Sequence, residues 1–546
     1  MRKVDLEWYY LLKSKIKDVT QLEVYNIYKY KKFLYNNKNL ERDNKMNINR
    51  LKLFSYAYLI APVVIFSLGW LKPIYSIPIT LMLIYIFLKI YKQCREENSE
   101  EKILSNNGIL LLFFSITLLC ILGGHGGFFY QTGDWNERNA IFRDLINYKW
   151  PVYYKATDNA LTYYIGQWMV PAFFSKILQF ILGIFMGSSV IINSDICFYI
   201  GNVFLLYWNS IGVLLACLWL LKILKINGKK SIIAIVLFLG FSGLDILGFL
   251  GTRVMPTPYH LEWWAKRYQY SSMITQLYWV FNQCIGIWII TLMFLEEKRV
   301  NNYMLLILLS IPFSPLGTVG LAILFLARAI KYLIESIKNK KFKEFLKDVF
   351  SIQNIFALIS IFPVHLLYYL SNASVQGSST GGGFNILWKY FDSWKDLGKF
   401  AIFFMLEIGI YMIFTFSKHK KDSLFYVVLI SLIVIPFFQL GYAFDFSMRV
   451  SIPPLVVITV WMIECFFEKI NKKRITFGLV CLCLVVLMGS ITPAIEIYRG
   501  FYYAFEKKKI ANVCDRIKTF TNDEKSSNFL TNDPKENSIF YKYIAK

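Results

Sequence analysis

The sequence is poor in the residues that build metal sites and disulfide frameworks. It holds four histidines and nine cysteines among 546 residues. The cysteines lie mostly inside apolar runs, with no pairing framework and no histidine at ligand spacing. We therefore expect them to be small core residues, among them Cys120, Cys217, Cys284, Cys481 and Cys483.

Charge is scarce as well, and acidic charge most of all. Charged residues make up 18% of the chain, with 36 acids against 60 bases, whereas about 25% is typical of soluble proteins. The net charge of +24 comes without a nucleic-acid motif, and the Lys and Arg residues sit in short connections. The positive-inside rule predicts that pattern for cytoplasmic loops, so we expect no nucleic-acid partner.

Long apolar runs dominate instead. Hydrophobic residues make up 56% of the chain and aromatic residues 18%. Runs of roughly 17 to 25 apolar residues recur, and each is long enough to cross a bilayer core of about 30 Å as a helix. Strands of a membrane barrel would be about half as long and would alternate. The sequence predicts an all-α integral membrane protein of the cell membrane with about 11 to 13 transmembrane helices.

The topology is predicted from an N-terminus in the cytoplasm. Residues 1 to 50 carry twelve Lys or Arg against six acids, interleaved with tyrosines. This favours a basic amphipathic segment on anionic lipid, with a partly ordered basic tail as the alternative. The chain start lacks a cleavable signal peptide, so the first apolar segment is expected to stay in the membrane. Three crossings, at 51 to 69, 74 to 91 and 103 to 122, then lead to a long outer loop.

The basic loops at 222 to 230, 338 to 347, 418 to 421 and 472 to 474 all favour the cytoplasmic side. All four loops can lie on the cytoplasmic side only if the segment 161 to 187 does not span the membrane. That segment contains Gly166, Pro171 and Lys176, and we predict that it lies in or dips into the outer interface. The outer loop with its interfacial helices then runs over 123 to 187.

The polytopic domain is predicted over 51 to 491, with further outer loops at 251 to 272, 371 to 397 and 441 to 448. Residues 301 to 330 are broken by "PFSPLG" and predict a hairpin of two short helices. The polar tail from 492 to 546 is expected outside. No internal repeat is visible, which argues against a transporter built on duplicated halves. The remaining crossings are predicted at 196 to 221, 231 to 250, 273 to 295, 351 to 370, 398 to 416, 423 to 440, 449 to 468 and 474 to 491.

The polar stretch "GDWNERNAIFRDL" lies in the first outer loop. Asp134 stands three residues before Glu137 and just before an amphipathic helical pattern, which is the signature of a capping box. On that interpretation Asp134 is an N-cap and nothing more. On the functional interpretation its carboxylate faces a polar chamber. The local sequence leaves the choice between these two interpretations open.

Two further polar clusters fall on the predicted outer side. The first holds His260, Glu262 and Arg267, for which an aromatic belt is the structural alternative; its spacing matches no zinc signature. The second holds Asp445 and Arg449, four residues apart at the mouth of a span. Ionisable residues near lipid are costly unless they have a partner or face a cavity, so a structural ion pair is the alternative there.

These motifs resemble a family of uncharacterised bacterial multi-spanning proteins that is itself similar to the GT-C glycosyltransferases, which use polyprenyl-phosphate sugars. The resemblance covers most of residues 100 to 546. It rests on "GDWNERNAIFRDL", "WPVYY", "LTYYIGQWMVPA", "FSGLDILG", "HLEWWA", "QYSSMITQLYWVFNQ", "DFSMRVSIPPL", "TPAIEIYR" and "FYKYIAK".

The resemblance implies a GT-C-like fold and the transfer of a sugar to a glycan or lipid acceptor at the outer face. Asp134 becomes the candidate catalytic base. Many GT-C enzymes have two adjacent acids in this loop, whereas Gly133 and Trp135 flank Asp134 here. No metal ligand is assigned, and a divalent metal is left open as a cofactor. Further candidates are chosen for their charge or polarity and for their position on the predicted outer side of the membrane. Those for binding the substrate or the donor phosphate are Arg138, Asn139, Arg143, His260, Glu262, Arg267, Asp445 and Arg449.

Two other functions remain open. In a transporter or flippase of a lipid-linked glycan, the outer loops would form a gate and a passage would be lined by Asp245, Asp445 and Arg449. Such a protein would have function-critical charges near the bilayer midplane. A polymerase or ligase of surface polysaccharide would share the donor chemistry. The expected partners in the enzyme are a polyprenyl-phosphate-linked sugar, membrane lipids and the acceptor.

Overall fold

The computed structural model describes residues 48–96, 103–193, 195–252, 260–373, 384–386, 393–440, 445–471, 476–508, 519–520 and 528–546. The predicted basic segment 1 to 50 therefore lies almost entirely outside the described residues. Parts of the predicted outer loops at 251 to 272, 371 to 397 and 441 to 448 also lie outside them.

The first half of the described chain is almost entirely helical. Two short strands, β1 (Tyr153–Tyr154) and β2 (Asn159–Leu161), interrupt it. The helices are α1 (Ile48–Trp70), α2 (Pro73–Glu96), α3 (Asn106–Leu122), α4 (Trp135–Asn147), α5 (Gly166–Met186), α6 (Ser188–Asn193), α7 (Ile196–Leu224), α8 (Lys229–Leu239), α9 (Asp245–Thr252) and α10 (Met273–Glu296).

The second half continues in the same way, with strands β3 (Phe384–Ile386), β4 (Phe438–Leu440) and β5 (Leu530–Asn532). Its helices are α11 (Tyr303–Ser310), α12 (Pro315–Lys338), α13 (Phe342–Val349), α14 (Ile352–Ser360), α15 (Phe362–Leu370), α16 (Trp394–Phe404), α17 (Ile410–His419), α18 (Ser423–Val434), α19 (Asp445–Val450), α20 (Ile452–Asn471), α21 (Phe477–Gly489), α22 (Ile491–Phe501) and α23 (Pro534–Asn537).

The predicted class is confirmed: this is an all-α, multi-pass membrane protein. Within the described ranges, nine helical stretches are long and apolar enough to cross a bilayer, and three shorter apolar helices accompany them. Helix α10 is buried along almost its whole length and forms the centre of the bundle. The predicted count of 11 to 13 crossings stays a prediction.

The hairpin predicted at 301 to 330 is present, but its second helix is not short. The chain breaks between Ser310 and Pro315, and α12 then runs for 24 residues to Lys338. The Ser314 hydroxyl accepts a hydrogen bond from the Gly317 N–H, and Pro315 occupies the first helical turn. Serine at the cap and proline at the first position both start a helix, so Pro315 begins α12 instead of ending it.

Three basic connections meet at one end of the bundle, which we call the basic end. There Lys222 lies 3.3 Å from Glu296, Lys230 donates to Asn471 over 2.8 Å, and Lys418 lies 3.3 Å from Glu464. The sequence predicted a common side for the loops that carry these lysines, and the contacts agree. Their position in the cytoplasm stays a prediction.

The opposite end, which we call the loop end, joins the first outer loop to the C-terminal segment. Strand β2 pairs antiparallel with both β1 and β5, which binds residues 159–161 to 530–532. Asn372 donates to the Thr162 carbonyl over 2.7 Å, and the Lys546 N–H donates to the Trp70 carbonyl over 2.8 Å. The last residues are therefore packed against the bundle, and these loops lie on one side of it.

Helix α5 begins halfway along its neighbours. The Gln167 amide donates to the Tyr58 hydroxyl over 2.8 Å and to the Asn209 side chain over 2.6 Å. Tyr58 and Asn209 lie near the midpoints of α1 and α7. The Gly166 N–H donates to Pro312, in the break before α12, over 2.9 Å. Further along, Ser175 meets Gly201 near the start of α7, so α5 runs from mid-depth toward the loop end.

The segment 161 to 187 thus contains a continuous helix of 21 residues, and Pro171 does not interrupt it. Pro171 lies in the second turn, where only one backbone hydrogen bond is lost. The helix is long enough to span, and its first turn contacts the midpoints of α1 and α7. That the segment dips in from the loop end without crossing stays a prediction.

Candidate functional site

Helix α4 begins immediately after Asp134, but the Asp134 carboxylate does not cap it. The backbone of Asp134 is already helical, with φ −65° and ψ −14°, and its side chain makes no capping hydrogen bond. A side chain caps the first turn when its own backbone is extended, which is not the case here. The capping interpretation of Asp134 is therefore wrong.

The Asp134 carboxylate instead accepts a hydrogen bond from Arg138, one helical turn later. The distance from Arg138 Nη2 to Asp134 Oδ2 is 3.1 Å. The Arg138 side chain is 8% exposed, whereas that of Asp134 is 47% exposed. The guanidinium also lies over the ring of Phe281 on α10, 5.9 Å from its centre. The acid faces outward and its cation lies beneath it.

Asp445 and Arg449 on α19 repeat this arrangement. Arg449 Nη1 lies 3.0 Å from Asp445 Oδ1, with side chains 10% and 45% exposed. The charge of Asp445, and to a smaller extent that of Asp134, acts on Arg449. We call these four residues, from two distant parts of the chain, the paired Asp–Arg site.

Two tyrosines that the sequence analysis did not assign adjoin this site. The rings of Tyr163 and Tyr164 lie 3.7 Å apart. The positive charges of Arg449 and Arg138 act on both phenols, and Asp445 acts on Tyr164. Burial nevertheless raises the pKa of Tyr164 to about 12, so its phenol keeps its proton at neutral pH.

Two of the predicted residues on α4 have structural roles. Asn139 is buried and donates to the Gln131 side chain over 2.9 Å. Arg143 is buried, lies 3.4 Å from Asp195, and stacks over the ring of Phe198 at 3.9 Å. The Arg143 contacts join α4 to the start of α7. No described contact brings either residue to the paired Asp–Arg site.

His260 and Glu262 lie in a second buried group. His260 Nδ1 is 2.6 Å from Glu496 Oε1, and its Nε2 is 3.9 Å from Glu262. Arg499 and Trp279 donate to the other oxygen of Glu496, over 2.6 and 3.0 Å. Burial lowers the pKa of His260, but its hydrogen bond to Glu496 and the carboxylate charges around it raise the value above normal.

Glu262 links this group to the paired Asp–Arg site. It accepts hydrogen bonds from the Ser272 N–H and from Gln269, each over 2.9 Å. Ser447 on α19 in turn donates to the Gln269 carbonyl over 3.5 Å. Burial raises the pKa of Glu262 above its ordinary value. The group therefore supports the helix that carries Asp445 and Arg449, and lies beside the site instead of in it.

A third buried acidic contact joins α9 to a π-helical turn, Met405–Gly409. Glu407 in this turn lies close to Asp245, whose charge acts on it, and accepts a hydrogen bond from Trp264 over 3.0 Å. Asp245 accepts hydrogen bonds from Ser242 and Thr492, each over 2.8 Å. We call Asp245 and Glu407 the carboxyl pair.

Arg267, the last predicted residue, is exposed and lies elsewhere. Its charge acts on Asp396 at the start of α16 and on Tyr268. Nothing in the described part of the chain connects it to the paired Asp–Arg site.

Asp144, at the end of α4, is buried, and Tyr154 donates to its carboxylate over 2.5 Å. The Phe520 backbone is a further hydrogen-bonding group beside this carboxylate, and the Thr519 side chain lies next to it. Burial outweighs these bonds and raises the pKa of Asp144 from 3.8 to about 7. This carboxyl group fastens the C-terminal segment to α4 and is not part of the candidate site.

The sequence did carry signals for some of the residues that were missed. Glu407 is a lone acid within an otherwise apolar helical stretch, which is by itself a sign of function or pairing. Glu496 and Arg499 stand three apart, at helical spacing, in a segment assigned to the tail. Tyr164 offered no such signal, because it lies among many aromatic residues.

No group of three or more His, Cys, Asp or Glu residues in the described ranges is arranged to hold a metal ion. Asp134 and Asp445 are each paired with an arginine, and a divalent metal as cofactor stays an open prediction. Comparisons of the chain with protein-family models, curated proteins and solved structures gave no match.

Proposed function

We propose that this chain is a membrane glycosyltransferase of the GT-C type, which transfers a sugar from a polyprenyl-phosphate donor to an acceptor at the outer face of the membrane. The observation that carries the proposal is the paired Asp–Arg site. It combines a half-exposed carboxylate, Asp134, with two nearly buried guanidinium groups, Arg138 and Arg449, at the loop end of a membrane-embedded bundle.

Each group has a role in the proposed reaction. The acceptor hydroxyl loses its proton to Asp134, and its oxygen forms a bond to the anomeric carbon of the sugar. The bond from that carbon to the phosphate oxygen breaks, and the electron pair stays on the phosphate. Arg138 and Arg449 then balance the extra negative charge of the leaving polyprenyl phosphate. Asp134 suits a base because its carboxylate is exposed and is free of capping bonds.

Asp134→Asn tests this role. Loss of a general base lowers a rate by roughly 100-fold to 10,000-fold, so we expect transfer to be abolished while expression and topology are kept. The readout is the surface glycan of a null strain that carries each variant. Asp158→Asn, an exposed acid in the same loop, is the matched control. Unchanged glycans in the Asp134→Asn strain, against a null strain that lacks them, would contradict the proposal.

A flippase or transporter of a lipid-linked glycan is the second candidate, and the carboxyl pair favours it. Glu407 lies near the middle of a stretch long enough to span, Trp394–His419, close to a second acid, Asp245. Ionisable residues at such a depth often mark an ion or substrate pathway. The transporter predicts that Glu407→Gln abolishes function and that Asp134→Asn is tolerated. The enzyme predicts the reverse.

A further inference from the structure

The Tyr164 hydroxyl accepts a hydrogen bond from a glutamine, which leaves its O–H as a donor. Its side chain is half-buried beside the paired Asp–Arg site, and Gln283 on α10 donates to its hydroxyl oxygen over 3.2 Å. The neighbouring Tyr163 hydroxyl interacts with it as well. The question is which partner takes the Tyr164 proton.

The direction of the Gln283 bond is fixed by a chain of donors. The Gly317 N–H donates to the Ser314 oxygen over 3.0 Å, so the Ser314 hydroxyl has its proton left for Gln283 Oε1, 3.3 Å away. Gln283 therefore turns its amide NH₂ toward Tyr164. Because this bond occupies the Tyr164 oxygen as an acceptor, the phenol contributes its O–H as a donor.

The charged groups around Tyr164 leave little free acceptor capacity. Arg138 and Arg449, whose charges act on the phenol, have no acceptor atoms. The Asp445 carboxylate, which also acts on the phenol, is held by Arg449 at 3.0 Å. Two guanidinium groups and a phenol O–H in one place are suited to an anion with several acceptor oxygens, and phosphate is such an anion.

We infer that Tyr164 is a further phosphate-binding residue, which donates its hydroxyl proton to the lipid-linked phosphate that Arg138 and Arg449 hold. This inference rests on the proposed function. In the transfer reaction the phosphate gains one negative charge as its bond to the sugar breaks. Its hydrogen bond from Tyr164 strengthens at that step, because donors to charged acceptors bind more strongly than donors to neutral ones. Tyr164 itself exchanges no proton.

The test is binding of polyprenyl monophosphate, the product common to all such donors, to the purified full chain in detergent. This probe needs no knowledge of the sugar or the acceptor. Tyr164→Phe removes one hydroxyl and keeps the ring. We expect roughly ten-fold weaker binding, the usual effect of losing a hydrogen bond to a charged group. Tyr153→Phe is the matched control, because the Tyr153 hydroxyl lies in the same loop and donates to the Lys546 carbonyl, at 3.3 Å.

Two further ligands identify what the site recognises. Polyprenol, which lacks the phosphate, should bind equally to Tyr164→Phe and to the unaltered chain. Inorganic phosphate should compete only weakly, since it lacks the lipid. Equal binding of polyprenyl monophosphate by Tyr164→Phe and Tyr153→Phe would overturn the inference.

The arginines separate this failure from failure of the proposed function. Arg138→Gln and Arg449→Gln should both weaken binding of polyprenyl monophosphate. If they do and Tyr164→Phe does not, only the role of Tyr164 is wrong. If the unaltered chain does not bind the lipid phosphate, or if neither arginine variant changes its binding, the proposed function fails and the inference fails with it. Thermal melting of each variant checks that it is folded.

Discussion

Replacing Asp144 with asparagine should change how stability depends on pH. Burial raises the pKa of Asp144 from 3.8 to about 7, so the folded protein binds this proton more tightly than the unfolded chain. A shift of about three pKa units corresponds to about 4 kcal/mol. The stabilisation is complete below pH ~4 and is lost as the pH rises through ~7. Between pH 5 and pH 8 this group alone removes about 2.5 kcal/mol.

The assay is unfolding of the purified full chain by a denaturing detergent at pH 5 and at pH 8. Asparagine stays neutral, so Asp144→Asn should gain about 2.5 kcal/mol relative to the unaltered chain between the two pH values. The amide loses one acceptor oxygen, and this constant cost cancels in the comparison across pH. Asp158→Asn, at an exposed site, should show no such gain. A pH-independent difference for Asp144→Asn would refute the reasoning.

Two other predictions use the same assay. Gly243→Ala places a methyl group against Glu407 Oε2 and 2.9 Å from Glu407 Cα, and should lower the free energy of unfolding by about 1 to 3 kcal/mol. Gly251→Ala, where nothing lies within 4 Å of the added methyl group, should be neutral or slightly stabilising. Equal effects of the two substitutions would contradict the packing at the carboxyl pair. His260→Ala removes the 2.6 Å partner of Glu496 Oε1, while Arg499 stays bound to Oε2, and should cost about 1.5 to 3 kcal/mol. A loss no larger than that of Lys155→Ala, at an exposed lysine, would show that the contact contributes little.

Local patterns predicted the features that depend on neighbours in sequence. The i, i+4 spacing of Asp445 and Arg449 is enough to bring the two side chains together on one helix, and the structure has them 3.0 Å apart. The apolar runs predicted an all-α membrane protein for the same reason, because the length and hydropathy of each run are local properties of the sequence. Cys120, Cys217 and Cys284 are buried as expected.

Long-range partners were beyond such reasoning. His260 meets Glu496 across 236 residues, and nothing in either segment indicates the other. The two local options for Asp134, a cap or an outward-facing acid, were equally consistent with the sequence. Its helical backbone and the bond from Arg138 decided between them, and both depend on how α4 packs against α10. Charge alone made Arg143 a candidate for phosphate binding, whereas its contacts with Phe198 and Asp195 could not be predicted from the local sequence.

For helix α5, the charges of the flanking loops and the hydropathy of the segment lead to different predictions of whether it spans the membrane. Hydropathy reports that a segment is apolar and long enough, and α5 satisfies both conditions. Charge counting reports on which side its flanking loops lie, and it required that the segment not cross. Both are satisfied if the chain enters from the loop end without helical structure and starts its helix at mid-depth. Backbone N–H and C=O groups that are buried at mid-depth need hydrogen-bond partners. The Gly166 N–H donates to the carbonyl of Pro312, which lies in the break before α12 at the same depth. The Gln167 bonds to Tyr58 and Asn209 hold that helix end in place, next to the tyrosine that adjoins the two arginines. Helix α5, which changes the predicted number of crossings, is thus also the helix that positions Tyr164.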